Sequence, residues 1–256
     1  MPIYQAVVLG IIQGVTEIFP ISSSGHLILF PAILGWEPHS LAFDASLHLG
    51  TAFALLAYFA KAWIGLLTSR SYKLIGYILL SSVPVGLIGL WGADYIEKNF
   101  RSPQLVSLTL VGVAVLMILA EFVYRRFKTH KGQAGLIDVL AIGFAQTLAL
   151  VPGVSRSGIT ILAGMGRGLE RSKSAYFSFM ISLPIVFAAG FYQLFSVYRE
   201  GLLGVQWGSF AVGIATSFIV GVLAIRFLLK ILHRVSLLPF AAYRIVLGLL
   251  ILFSRF

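Results

Sequence analysis

The sequence predicts an all-α polytopic integral membrane protein made of two inverted-topology repeats, each a re-entrant helical hairpin followed by three transmembrane helices. Composition is the first observation behind this. Of 256 residues, 59% are hydrophobic and 11% charged, and the mean hydropathy is +0.95. Soluble domains carry roughly 25% charged residues, so this chain has too little polar surface to cover a globule and must meet lipid over most of its outside. The second observation is the spacing of apolar runs, and the third is an internal near-copy of a polar, proline-containing segment.

A bilayer core about 30 Å thick requires roughly 20 apolar residues per helix. In chain order the first candidate is the interrupted stretch Tyr4–Leu34, then full spans at about Asp44–Phe59, Leu74–Trp91 and Leu105–Tyr124. A second interrupted stretch, Leu136–Met165, precedes spans at about Ser174–Tyr198, Ser209–Leu229 and Leu238–Phe253. Polar, proline and glycine residues break both interrupted stretches in the middle. Broken backbone is tolerated at membrane depth only inside protein or beside a wet cavity, so each reads as two short helices meeting at a loop. The whole is one transmembrane domain, with repeat one over about residues 1–132 and repeat two over about 133–256. Ile3 to Leu34 has no basic leader, and no cleavable signal is expected.

Lysine and arginine placement orients the chain. With hairpins, thirteen basic residues fall on one side: Lys61, Arg70, Lys73, Arg125, Arg126, Lys128, Lys131, Arg167, Arg171, Lys173, Arg226, Lys230 and Arg234. Only Lys98, Arg101, Arg199 and Arg255 fall on the other, with Glu37, Asp94, Glu97 and Glu200. The basic side is therefore cytoplasmic, both termini lie outside, and the first hairpin enters from the outer face. The net charge of +10 is a topology signal; scattered singly, these residues form no stripe for nucleic acid. Cysteine is absent, which excludes disulfides, thiolate metal sites and a cysteine nucleophile.

Gly10 to Gly25 (GIIQGVTEIFPISSSG) aligns without a gap on Gly143 to Gly158 (GFAQTLALVPGVSRSG) at an offset of 133 positions. Gln13 matches Gln146, and Ser22, Ser24 and Gly25 match Ser155, Ser157 and Gly158. Three spans after each hairpin turn the second copy upside down, the inverted repeat in which discontinuous helices build a site near the midplane.

Ionisable groups buried in a membrane are costly and mark function by default. The first loop holds Glu17, Ser22, Ser23, Ser24, Gly25 and His26; the second holds Gly153, Ser155, Arg156, Ser157, Gly158 and Thr160. If the two tips converge, a carboxylate, an imidazole, a guanidinium and several hydroxyls share one pocket. Helices starting at the serines would aim free N–H groups at it, and Arg156 adds a planar fork of donors for phosphate oxygens. Serines before an apolar run are also ordinary N-caps, and capping is the simpler reading of Ser22 or Ser155 alone. It does not account for Arg156, which needs an anionic partner. Glu17, His26 and a hydroxyl together resemble the orienting group, base and nucleophile of covalent catalysis.

At these residues the sequence resembles the undecaprenyl pyrophosphate phosphatases of bacteria, the bacitracin-resistance family. The motif of Glu or Gln, three residues, then Glu appears as Gln13 to Glu17, followed by the serine run and Gly25-His26; the motif PGxSRSxxT appears complete as Pro152 to Thr160. The resemblance implies a phosphatase of the plasma (inner) membrane that hydrolyses undecaprenyl pyrophosphate to undecaprenyl phosphate and inorganic phosphate, recycling the lipid carrier of peptidoglycan synthesis, with its site opening to the periplasm. On this view Arg156 and the backbone at Ser155–Gly158 hold the pyrophosphate, with Ser22, Ser24, Gly25, Gly153, Ser157 and Thr160 as further binding residues. Ser23 attacks or orients water, His26 acts as base and then acid or is itself the nucleophile, and Glu17 orients His26 or binds a divalent cation, Mg²⁺ being the expected one. Gln13 in place of a first glutamate argues against a metal site needing two carboxylates there. The expected partner is the polyprenyl pyrophosphate within membrane lipid, with no nucleic acid; a homodimer is compatible. Inverted repeats also serve transporters, so a carrier or flippase of an anionic lipid is the competing reading. Asp44 and His48, one turn apart, read equally as pocket or interface residues. Arg244, near the end of the last span, reads as a snorkelling side chain.

Overall fold

The computed structural model describes residues 1–126, 130–200 and 206–253. Of the charges that orient the chain, Lys128, Arg255 and the side chains of Asp94, Glu97 and Glu200 lie outside the described residues. Among the described residues ten α-helices follow in order: α1 (Ile3–Thr16), α2 (Ser23–Leu34), α3 (Leu41–Thr68), α4 (Tyr72–Phe100), α5 (Pro103–Tyr124), α6 (Leu136–Thr147), α7 (Arg156–Gly166), α8 (Arg171–Glu200), α9 (Trp207–Ile231) and α10 (Leu238–Phe253). A single 3₁₀ turn, Leu148–Leu150, lies between α6 and α7. Among the described residues, α3, α4, α5, α8 and α9 contain the five stretches long and apolar enough to cross a membrane, so the chain is a multi-pass membrane protein. The sixth expected span is real as a helix but short. Sixteen residues of α10 rise about 24 Å at 1.5 Å each, under the hydrocarbon thickness.

Local chemistry sets the ends. Ser40 accepts from the Phe43 amide at 3.2 Å and caps α3. Ser102 does the same for α5 through Leu105, with Pro103 in the first turn where its missing N–H costs nothing. Large apolar side chains such as Leu90, Trp91, Ile219, Leu223 and Phe227 stay exposed, as a lipid-facing surface requires.

The short helices lie against long ones, α1 along α9, α6 along α4 and α10 against α5, and the long helix α3 packs against α8 and α9. Small residues permit the closest crossings. A Cβ on Gly10 would sit 2.9 Å from the Gly213 carbonyl oxygen on α9, and one on Gly143 would sit 2.7 Å from that of Ser81 on α4. A continuous apolar core, including Ile18, Leu55, Ile142, Ile161, Phe179 and Ile225, runs through both halves of the chain.

Buried Glu121 of α5 forms a two-pronged pair with Arg171 of α8, each bond 2.8 Å, and accepts from the Leu237 amide at 2.7 Å. Arg171 also donates to the Val235 carbonyl. Removing one partner of a buried pair leaves an uncompensated charge, so Glu121→Ala is expected to cost about 3–5 kcal/mol, read as a lowered thermal midpoint in detergent.

Candidate active site

Helix α1 ends where the chain turns at Glu17 to Ile21, and α2 starts at Ser23. Gln13 and Glu17 are four residues apart, so they share one face of α1. Gln13 Nε2 donates to Glu17 Oε2 at 3.2 Å. The turn brings Ser23 back onto the same oxygen: its Oγ donates to Glu17 Oε2 at 2.5 Å. From the second loop, Arg156 Nη2 donates to Glu17 Oε1. Glu17 and Ser23 are both buried, and the Glu17 carboxylate is bonded on one oxygen to a hydroxyl and on the other to a guanidinium.

The two hairpin tips meet, as the loops would have to if they form one pocket. Ser157 Oγ donates to the Phe19 carbonyl at 3.2 Å, and the Gly153 amide donates to Ser24 Oγ at 3.4 Å. A cavity of about 350 Å³ opens over the junction. Its polar end is lined by Glu17, Ser23, Ser24, His48, Gln146, Ser155 and Arg156; its other wall is apolar, with Val85 of α4 and Ile185, Val186 and Ala189 of α8. Among the described residues, three buried polar atoms here have no hydrogen-bond partner: Arg156 Nη1, Gln13 Oε1 and Gln146 Oε1. Leaving such atoms unpaired costs about 1–3 kcal/mol each, and Arg156 Nη1 is a donor ready for an anion.

The remaining expected binding residues divide. Ser24 and Ser155 line the cavity. Ser22 and Ser155 are the N-caps of α2 and α7, accepting from the amides of Gly25 at 3.3 Å and Gly158 at 3.1 Å. Both sit at positive φ, 76° and 74°, a conformation that costs a non-glycine residue of order 1–3 kcal/mol. Gly153, at φ +90°, passes where a Cβ would lie 1.9 Å from Thr109 Oγ1, so only glycine fits. Thr160 is turned away, bonded to the Arg156 carbonyl and at 2.5 Å to Ser178 of α8.

His26 departs from its expected role as the partner of Glu17. Its Nδ1 is 2.6 Å from the Ser22 carbonyl and its Nε2 2.8 Å from the Tyr243 hydroxyl. A carbonyl can only accept, which assigns the ring proton to Nδ1 and makes Nε2 an acceptor for Tyr243. Both nitrogens are thereby engaged away from Ser23, with the ring stacked on Tyr243 at an interplanar angle of 4°. The imidazole at the site is instead His48, from the second turn of α3: its Nδ1 lies 2.9 Å from Gln13 Nε2 and 3.2 Å from Glu17 Oε2. Asp44, one turn earlier, pairs with His39 at 2.5 Å and Arg101 at 3.3 Å outside the cavity lining. Arg244 does not snorkel: it is fully buried.

Set beside known proteins, residues 6–250 match the family model described as bacitracin resistance protein BacA. The chain belongs to the BacA family. Curated relatives of this family resemble it over their full lengths. Undecaprenyl-diphosphatase 2 of Stutzerimonas stutzeri is 42% identical, covering 99% of each chain. The undecaprenyl-diphosphatases of Geotalea daltonii and Thioalkalivibrio sulfidiphilus are 41% and 38% identical, covering 98% and 99% of each chain. Within that matched range, the turn leading into α7 delivers Arg156 to Glu17, at the helix end that carries Gln13 and Glu17.

Proposed function

We infer that the protein hydrolyses undecaprenyl diphosphate to undecaprenyl phosphate and inorganic phosphate, the activity by which its relatives are named. The observation that carries this reading is the 2.5 Å bond from Ser23 Oγ to a carboxylate whose other oxygen is held by Arg156. This is a hydroxyl with a base in place and an anion donor beside it. Ser23 Oγ attacks the terminal phosphorus while Glu17 takes its proton; the P–O bond to the bridging oxygen breaks and undecaprenyl phosphate leaves. Water then attacks the phosphorus of the phosphoserine and the Ser23 Oγ–P bond breaks; Ser23 recovers the proton from Glu17, and inorganic phosphate leaves as H2PO4⁻ carrying both protons of the water. Arg156 Nη1 stabilises the charge on the transferring group, which is the main task in phosphoryl transfer, while Nη2 stays on Glu17 Oε1. His48 and Gln13 hold Glu17 at the correct angle. A carrier for an anionic lipid would use Arg156 but has no use for a serine bonded to a carboxylate, so the enzyme reading is favoured.

Glu17 and the unpartnered Gln13 Oε1 would hold Mg²⁺, an oxygen donor set suited to a hard ion that takes its other ligands from phosphate and water. Among the described residues no group of three or more His, Asp or Glu forms a protein-only cage. The ion would neutralise charge at the phosphates.

The apolar wall of Val85, Ile185, Val186 and Ala189 suits the prenyl chain of a lipid substrate. We place the protein in the plasma (inner) membrane with this cavity opening outward, because Ala45 and His48 come from the α3 end remote from Lys61 and Arg70. The inverted repeat over residues 1–132 and 133–256 is supported by the matching caps, Ser22 at φ 76°, ψ 99° and Ser155 at φ 74°, ψ 111°. Exchange of partners supports it too: α1 lies on α9, and its counterpart α6 lies on α4. Purified protein should release phosphate from undecaprenyl diphosphate in detergent. In intact cells, a membrane-impermeant thiol reagent should block an Ala45→Cys variant, there being no native cysteine to react. Absence of phosphate release would overturn the activity, and labelling only after the cytoplasmic face is exposed would overturn the orientation.

A further inference from the structure

We propose that Arg244 of α10 is a positioning residue that fixes the spacing between the two catalytic loops, an inference that rests on the hydrolase reading above. Its guanidinium is fully buried, and each of the five hydrogen bonds it makes among the described residues runs to a main-chain carbonyl. Nη1 donates to Pro20 O at 3.2 Å, in the turn of the first hairpin. Nη2 donates to Gly153 O at 2.8 Å and Val154 O at 3.2 Å, in the turn of the second. Nε donates to Leu110 O at 3.1 Å, and Nη2 also reaches Thr109 O at 3.4 Å, both on α5. One planar group therefore ties both turns to a membrane-spanning helix.

The placement relative to the chemistry gives this clamp its meaning. Pro20 lies three residues from both Glu17 and Ser23, and Gly153 and Val154 lie three and two residues before Arg156. Any change in the separation of the Pro20 and Gly153 carbonyls is passed to the Glu17–Arg156 pair and to the Ser23 oxygen on the same carboxylate. Turn carbonyls are the acceptors that helix hydrogen bonding leaves open, and inside a membrane they need a donor. The guanidinium's fixed fork of N–H groups can reach three segments at once, which the three donors on a single lysine nitrogen cannot do. A second tether acts on the same turn without charge: Thr109 Oγ donates to Pro152 O at 2.8 Å. Tyr243, next to Arg244, holds His26, so α10 grips the first hairpin at two adjacent points.

The test uses full-length Arg244→Lys and Arg244→Gln, purified in detergent, with phosphate release from undecaprenyl diphosphate expressed per folded molecule. The expected result is a fall in kcat of about 10²-fold, the cost of roughly an ångström of misplacement, with lysine retaining more than glutamine and KM changing far less. In an Arg156→Lys background, where the loop pair is already disturbed, Arg244→Lys should cost much less than it does alone; a merely structural residue would lower both backgrounds by the same factor. A kcat within about twofold of wild type, or equal factors in the two backgrounds, would overturn the inference. Should neither variant fold, Thr109→Val carries the test: it removes one tether from the Pro152 turn, and an unchanged kcat counts against positioning while a lowered one supports it. Wild type that releases no phosphate sinks the hydrolase reading, whereas active wild type with unaffected variants sinks only this inference.

Discussion

Replacement of Ser23 by alanine is expected to reduce phosphate release at least about a thousandfold, in line with the loss of an enzyme's serine nucleophile, without loss of folded protein. The reasoning starts from the partners that remain. Without Oγ, Glu17 keeps Gln13 on Oε2 at 3.2 Å and Arg156 on Oε1, so no buried charge is stranded and α2 keeps its cap at Ser22. What is lost is the atom that would bond to phosphorus. Ser24 is the internal control. It lines the same cavity and bonds to Ser22 Oγ and the Gly153 amide, but among the described residues it has no hydrogen bond to the carboxylate, so Ser24→Ala should retain activity within about tenfold. Rapid quenching with substrate labelled in the terminal phosphate should trap label on Ser23 in wild type and none in Ser23→Ala. Label persisting in the alanine variant would move the nucleophile elsewhere.

The architecture that makes Ser23 and Arg156 neighbours is largely legible in the sequence, and the reasons are local. Gln13 and Glu17 fall on one helical face by spacing alone. A proline followed by serines inside an apolar run reads as a broken helix, tolerated at membrane depth inside protein or beside a wet cavity. A near-copy 133 positions away told where its counterpart would be. Two other residues were not legible, and for His48 the sequence left pocket and interface equally open, each for a different physical reason. His48 reaches Gln13 from 35 positions away, and whether α3 turns that face or the next toward the hairpin depends on packing against α8 and α9, which the sequence pattern of one span does not specify. His26 stands three residues after Ser23, close enough to invite a catalytic role, but its Nδ1 finds a local acceptor in Ser22 O and its Nε2 a partner in Tyr243, 217 positions on. Arg244 has main-chain carbonyls as its hydrogen-bond partners; no residue type marks such partners. One signal was present: Arg244 is the seventh of the sixteen residues of α10, nearer the middle than the end, and a charge there calls for a buried use.

Arg156→Lys keeps the charge, and it should nonetheless lower kcat by about 10³-fold, the smaller end of what an arginine at a transferring phosphoryl group contributes. Two nitrogens of the guanidinium have separate tasks here: Nη2 is bonded to Glu17 Oε1, while Nη1 is buried without a partner. An ammonium is a single point of donation on a flexible stem. If it pairs with Glu17, nothing is left at the position of Nη1 for the phosphate; if it turns to the phosphate, Glu17 loses the contact on the oxygen opposite Ser23. Both outcomes impair the chemical step, and the second also disturbs the base. The distinguishing measurement is inhibition by inorganic phosphate, the product that should occupy the same donors: its inhibition constant should rise at least about tenfold in Arg156→Lys, equivalent to one charge-assisted hydrogen bond of about 1.5–3 kcal/mol. In Ser23→Ala, equilibrium binding of phosphate should stay near the wild-type value, because the donors are intact. Equal phosphate affinity in wild type and Arg156→Lys would mean that Arg156 serves only to hold Glu17, and that the anion is gripped by the remaining hydroxyls and backbone amides of the two loops.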